Sequence, residues 1–339
     1  MKSWRKRRRQ YRGWRGLCPE ASAVAWGADR KTAIRHHPVF KKGTFGRHPE
    51  LFDRFYQHAS DYLLRKFERS RAILAECEEQ ITWPAIIGPG FCGATHPGSD
   101  AILINTMFEG SKYVYNSDCL YINLRDLVFA VSDPPGVTTS ARRLFVELDG
   151  NLSSGTGVDL ETIVNRINRD TVYDDNATLC LVNIPDRETP ESPVRATAFL
   201  AGDTILLHGN VGRNVLNRVE GSPHFMGTTH ARFKPIQLLL EPDDVLVIAS
   251  DGILSLLAGG PGKPLESALL EYLKRDRRRF AEAIVQDCNA YYRQVVNGLE
   301  IPRFRGNDNT TVVAVFPGDL VRTDGREVFM LGGCAATGT

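Results

Sequence analysis

Leu127-Val128-Phe129-Ala130-Val131-Ser132-Asp133 is an apolar run that ends in an aspartate. Val245-Leu246-Val247-Ile248-Ala249-Ser250-Asp251-Gly252 repeats the device further along the chain. A third version is inverted: Asp308-Asn309 directly precedes Thr310-Thr311-Val312-Val313-Ala314-Val315-Phe316. Asp118 stands in the same way before Cys119-Leu120-Tyr121-Ile122. Short runs rich in Val, Ile and aromatic residues predict strands. A carboxylate at the mouth of a buried strand is poorly hydrated on one side. It needs a cation, a hydrogen-bond donor or a raised pKa. Aspartate is also a common turn residue at strand ends, so each one taken alone is a weak signal. Several such groups on neighbouring strands would build an all-oxygen site suited to Mg²⁺ or Mn²⁺.

Working outward, further strands are expected at Ala101–Ile104, Thr178–Ile184, Thr204–His208, Val215–Val219 and Gln237–Leu240. Helical patterns fall at Thr139–Leu148, Leu160–Val172, Leu265–Leu273 and Phe280–Val296. Strands in succession with two pairs of helices predict an α+β fold, two stacked antiparallel β-sheets flanked by helices. Before this region, apolar positions from Leu51 to Leu74 recur at spacings of three and four, the mark of an amphipathic helix. Pro84, Gly88, Pro89, Gly90 and Gly93 predict a loop after it. The expected division is a basic tail over 1–48, a helical extension and loop over 49–98, the main domain over 99–317, and a flexible tail over 318–339.

Composition narrows the classes. The 339 residues carry a net charge of +2, too little to imply a polyanion partner for the whole chain. The positive charge gathers in residues 1–16, from Lys2 and Arg5 to Arg15, with no acid among them. Trp4, Tyr11 and Trp14 interleave this run. Contact of the tail with nucleic acid or an acidic membrane is the weaker reading, a solvated tail the stronger one. The cysteines number seven, with no Cys-x-x-Cys pair. This argues against a zinc ribbon or a secreted disulfide framework, and makes the cytoplasm the expected compartment. A monomer is expected.

The blocks have an order. Asn116-Ser117-Asp118 followed by Phe129-Ala130-Val131-Ser132-Asp133-Pro134-Pro135-Gly136 resembles the opening motifs of the metal-dependent protein phosphatase 2C family. Gly209-Asn210-Val211-Gly212-Arg213-Asn214 resembles that family's Ala-Asn-Val-Gly-Asp-Ser turn. Leu246–Gly252 and Gly306–Val313 resemble its two closing strands. Each block alone is of modest specificity; four in family order are far more specific.

The resemblance implies a sandwich of two antiparallel sheets and two metal ions, Mg²⁺ or Mn²⁺. Asp133 would bridge both ions, Asp251 and Asp308 would hold the first, and the carbonyl of Pro134 would touch the second. Asp118 would orient metal-bound water. The implied reaction is attack of metal-bound hydroxide on a phosphoserine or phosphothreonine of a phosphoprotein substrate. Departures from the pattern are Pro134-Pro135 in place of Gly and His or Met, and Arg213 in place of an acidic ligand for an accessory metal. Tyr113 stands where a phosphate-binding arginine is usual. Lys112 and Arg213 are therefore the candidate phosphate-binding cations. These departures also support an alternative, a degenerate member that binds a phosphoprotein without hydrolysing it.

Overall fold

The computed structural model describes residues 85–98, 114–134, 139–154, 159–170, 177–187, 189, 191–227, 232–257, 263–289, 291–296, 299–304, 308–325 and 327–336. The strands are β1 (Ala85–Gly88), β2 (Phe91–His96), β3 (Val114–Asn123), β4 (Val128–Ser132), β5 (Leu179–Asn183), β6 (Val194–Ala201) and β7 (Ile205–Asn210). They continue with β8 (Val215–Val219), β9 (Ile236–Leu240), β10 (Asp244–Ala249), β11 (Tyr291–Val296), β12 (Leu299–Phe304), β13 (Thr310–Val315) and β14 (Val328–Ala336). The helices are α1 (Ser140–Ser153), α2 (Leu160–Asp170), α3 (Leu265–Arg275) and α4 (Phe280–Cys288).

Two six-stranded antiparallel sheets form, in the orders β1-β2-β13-β10-β7-β8 and β14-β3-β4-β5-β6-β9. Alternate residues of a strand face opposite sides, which explains why both core strands are apolar without a break. From β4, Phe129 and Val131 enter the layer between the sheets, together with Leu246 and Ile248 of β10. Val128 and Ala130 instead pack under Leu144 and Phe145 of α1 and Ile163 of α2. Val245 and Val247 pack under Leu269 of α3 and Ile284 of α4. The result is four layers, helices–sheet–sheet–helices, and the expected sandwich is the fold of the chain. The start of α2 is fixed by Asp159, whose side chain accepts the Thr162 N–H at 2.9 Å, an N-cap contact. No helix among the described residues is long and apolar enough to cross a membrane.

Several boundaries differ from the sequence reading. The loop expected around Pro84–Gly93 is the β1–β2 hairpin, paired Gly88 to Phe91. Pro89 followed by Gly90 at φ 75° is the pattern of a type II turn, and Ile86, Phe91 and Cys92 supply the apolar content of a strand. The helix expected over Phe280–Val296 ends at Cys288. Its second half is β11, which pairs with β12 so that Val296 meets Leu299 across Asn297-Gly298. Asn-Gly between two strand-forming runs is a strong hairpin signal and outweighs the helical spacing. The stretch 318–339, expected as a flexible tail, supplies β14, which pairs along β3 from Val328–Asn123 to Ala336–Val114. Its apolar run Val328-Phe329-Met330-Leu331 is the part that the Gly-rich ending obscures. β6 was not anticipated, because Arg195 and the small residues around it dilute the pattern. The expected helix around 51–74, the basic tail and the strand Ala101–Ile104 lie outside the described residues.

Candidate functional site

The register of the strands gathers the aspartates at one end of the sandwich. Ala249 at the end of β10 pairs with Val312 near the start of β13, so Asp251 and Asp308 leave neighbouring strands on the same edge. In the facing sheet, Cys119 of β3 pairs with Ser132 of β4, which sets Asp118 beside Asp133. Asp118 shares its strand face with Leu120 and Ile122, both in the layer between the sheets, so its carboxyl points into the gap between them.

A polar network braces that gap. Asn116 Nδ2 donates to Thr95 Oγ1 at 2.7 Å, and Thr95 Oγ1 lies 2.6 Å from Thr311 Oγ1. The Thr311 amide donates to Ser250 Oγ at 2.9 Å, and the Ser250 amide donates to the Thr311 carbonyl at 3.0 Å. On the other side, Ser132 Oγ donates to the Thr178 carbonyl at 2.6 Å and the Asp133 amide donates to Thr178 Oγ1 at 2.7 Å. These bonds hold the strand ends from which the carboxylates project. None of Thr95, Thr178 or Thr311 was singled out by the sequence, since a hydroxyl within an apolar strand reads only as a strand former.

The carboxylates differ in exposure and act on one another. Asp118 is fully buried, Asp133 and Asp251 are half-buried, and Asp308 is exposed. Burial pushes the Asp118 carboxyl up to about 7, against the nearby Ser250 hydroxyl, which favours the anion; the charges of Asp308 and Asp251 raise it further. Neither Asp118 carboxylate oxygen has a hydrogen-bond partner of normal geometry, nor has Asn116 Oδ1. Asp133 is raised well above the ordinary carboxylate range, first by burial and then by the charges of Asp118, Asp251 and Asp308. Two such neighbours cannot both ionise comfortably without a cation between them. His96, opposite Thr310, is held neutral by burial, its pKa down at about 3, so it is not that cation.

The donor set therefore fits a hard divalent ion in kind: carboxylate oxygens only, with both oxygens of Asp118 buried and without a partner of normal geometry. Among the described residues, no three His, Cys, Asp or Glu side chains converge closely enough to hold a metal ion as they stand. Pro134 is buried directly after Asp133, while Pro135 and Gly136 lie outside the described residues. Lys112 and Tyr113 also lie outside them.

Arg213 is not at this site. It sits on the β7–β8 turn, where Asn210 pairs with Asp244, whereas the site end of the same ladder pairs Ile205 with Ala249. With a rise of ~3.3 Å per residue, the two ends of β10 are separated by about 17 Å. The turn is built for itself: the Arg213 amide donates to Asn210 Oδ1 at 3.0 Å, and Asn210 Nδ2 donates to Asp244 Oδ1 at 3.2 Å. The Arg213 side chain is exposed. The turn that does reach the site is Gly202-Asp203-Thr204, between β6 and β7. Ala201 pairs with Leu179 beside Thr178, and Ile205 pairs with Ala249. Its Gly-Asp-hydroxyl composition is the signal the sequence reading passed over in favour of the Asn-Val-Gly stretch.

No family model matches the sequence, and no curated protein does. Solved structures do match, among them PP2C domains and a bacterial serine phosphatase. The SiaA-PP2C domain of Pseudomonas aeruginosa aligns over 81% of this chain and 99% of its own, with 16% identity and a TM-score of 0.45. RsbX in complex with magnesium aligns over 69% and 99%, with 14% identity and a TM-score of 0.44. The PP2C phosphatase domain with a fragment of the regulatory domain of the cell fate determinant SpoIIE from Bacillus subtilis aligns over 78% and 97%, with 12% identity and a TM-score of 0.43.

Proposed function

We propose that the chain is a metal-dependent protein phosphatase acting on phosphoserine or phosphothreonine in a phosphoprotein. The observation that carries this reading is the pair Asp118 and Asp133, both raised, where the two sheets meet, with the buried Asp118 oxygens lacking a hydrogen-bond partner of normal geometry. Asp133, Asp251 and Asp308, with the carbonyl of Pro134, would hold Mg²⁺ or Mn²⁺. Two bound ions would acidify a water and neutralise charge on the phosphoryl oxygens. Asp118, deeper in the gap, would accept a proton from that water and fix its orientation. Thr178 and Ser250, through the bonds described above, keep Asp133 and Asp251 at the mouth. Loss of Arg213 from the site leaves Lys112 as the candidate cation for the phosphate. The test is hydrolysis of p-nitrophenyl phosphate and of a phosphothreonine peptide with Mn²⁺ or Mg²⁺, against the same assays in EDTA.

The second reading, a phosphoprotein-binding module without catalysis, is favoured by one observation: the carboxylates do not close into a ligand set by themselves. Phosphopeptide binding without turnover in either metal would select it.

A further inference from the structure

The 3₁₀ turn that follows β10 runs from Asp251 to Leu257 and begins at a site carboxylate. In a 3₁₀ helix, side chains three apart eclipse one another. Three ridges result, and they differ in kind. Ile253 and Leu256 form one, buried in the core against α3 and α4. Gly252 and Ser255 form another, with Gly252 pressed on the backbone of Asn309. Asp251, Leu254 and Leu257 form the third, and it faces outward: Leu254 is 43% and Leu257 38% exposed. A single exposed leucine is ordinary on a protein surface. Two eclipsed leucines in line with a catalytic-site carboxylate are not. The other large exposed apolar side chains among the described residues stand singly on separate elements.

Resting on the phosphatase reading, we propose that this ridge is the substrate-specificity element: it receives an apolar side chain of the phosphoprotein near its phosphorylated residue. The spacing sets the positions. At ~2.0 Å rise per residue, Leu254 lies about 6 Å and Leu257 about 12 Å beyond Asp251 along the turn. An extended substrate advances ~3.3 Å per residue, so these distances correspond to about two and four positions from the phosphoresidue. The occupant is a substrate segment because the phosphate must sit at the carboxylates, and the chain attached to it has to leave across one rim of the site. Contact there removes apolar area from water on both partners. A small aryl phosphate does not extend to the ridge.

The experiment uses the full chain with Mn²⁺ and phosphothreonine peptides of otherwise Gly/Ser sequence. Each carries one leucine, or serine in its place, two or four residues to either side of the phosphothreonine. p-Nitrophenyl phosphate is assayed in parallel, and peptide binding is read by fluorescence anisotropy. Leucine at a favoured position raises kcat/KM about tenfold, mainly through KM. The double variant Leu254→Ser/Leu257→Ser abolishes that preference and leaves p-nitrophenyl phosphate turnover unchanged, and Leu254→Met/Leu257→Met restores it. Equal handling of leucine and serine peptides, or a preference that survives the double serine variant, overturns the proposal. If no metal supports hydrolysis of any substrate, the phosphatase reading fails. The anisotropy preference, present or absent, then still decides the ridge.

Discussion

Gly252 and Asn309 touch backbone to backbone: a Cβ on Gly252 would stand 1.9 Å from the Asn309 carbonyl oxygen. Each is the immediate neighbour of a site carboxylate, Asp251 and Asp308. The contact therefore sets how closely the two acids approach. Gly252→Ala must push the two loops apart. The expected cost is about 1–3 kcal/mol, as for other overpacked sites. Mn²⁺ affinity should fall with it. Urea unfolding and metal titration by calorimetry read both, and an alanine variant with unchanged metal affinity would disprove this link.

Asp118 makes the metal-free protein pH-sensitive. Its folded-state pKa, about 7, lies above the ordinary 3.8. A carboxyl raised by folding contributes stability that is present at acid pH and lost as pH rises through the folded value. In EDTA, wild-type stability should therefore fall by roughly 2–3 kcal/mol from pH 5 to pH 8 relative to Asp118→Asn. Saturating Mg²⁺ should offset that loss in the wild type. Parallel denaturant curves for both proteins at the two pH values supply the comparison.

Asp133→Asn should abolish metal-dependent turnover while leaving the fold intact, because it removes the shared charge around which the ions would assemble. The metal-free variant should be at least as stable as the wild type, since one of several mutually repelling carboxylates is gone. Thermal midpoints in EDTA and turnover in Mn²⁺ are the two readouts. Wild-type turnover in this variant would remove Asp133 from the site.

Arg213→Ala should leave kcat and KM unchanged and shift stability by no more than about 0.5 kcal/mol, as expected of an exposed turn residue. Asp203→Ala, at the site end of the same strand, should weaken activation by Mn²⁺ instead. Steady-state kinetics across a metal titration separates the two, and a reversed pattern would contradict the register from which both expectations follow.

Truncation after Gly325 should be severe. It strips β14 from the edge of β3, where Gly332 at φ 84° packs on the carbonyl of Asp118 and its own carbonyl accepts from Arg142 Nη1 at 3.1 Å. Insoluble protein, or a loss of several kcal/mol, is the expected outcome, because the strand bearing Asp118 becomes an unpaired edge. A soluble truncation with wild-type stability would mean that β14 is dispensable.

The sequence by itself determined the strands that carry Asp133, Asp251 and Asp308, because each is an apolar run with its acid at the end, and both features are local. It also determined the layered α+β class, since strands buried on both faces require cover on both sides. Tertiary structure alone decided which ends meet. A motif resemblance assigned Arg213 to the site, yet whether a turn lies at one end of a sheet or the other depends on pairing register, and register joins residues far apart in the chain. The same reason hid Asp203, whose turn comes to the site only because β6 and β7 belong to facing sheets. Asp118 was legible as an acid beside an apolar run, but it lies inside β3 rather than before it, because the strand begins already at Val114. The depth and raised pKa of Asp118 were not legible, because they come from the facing sheet and from other carboxylates brought near by folding.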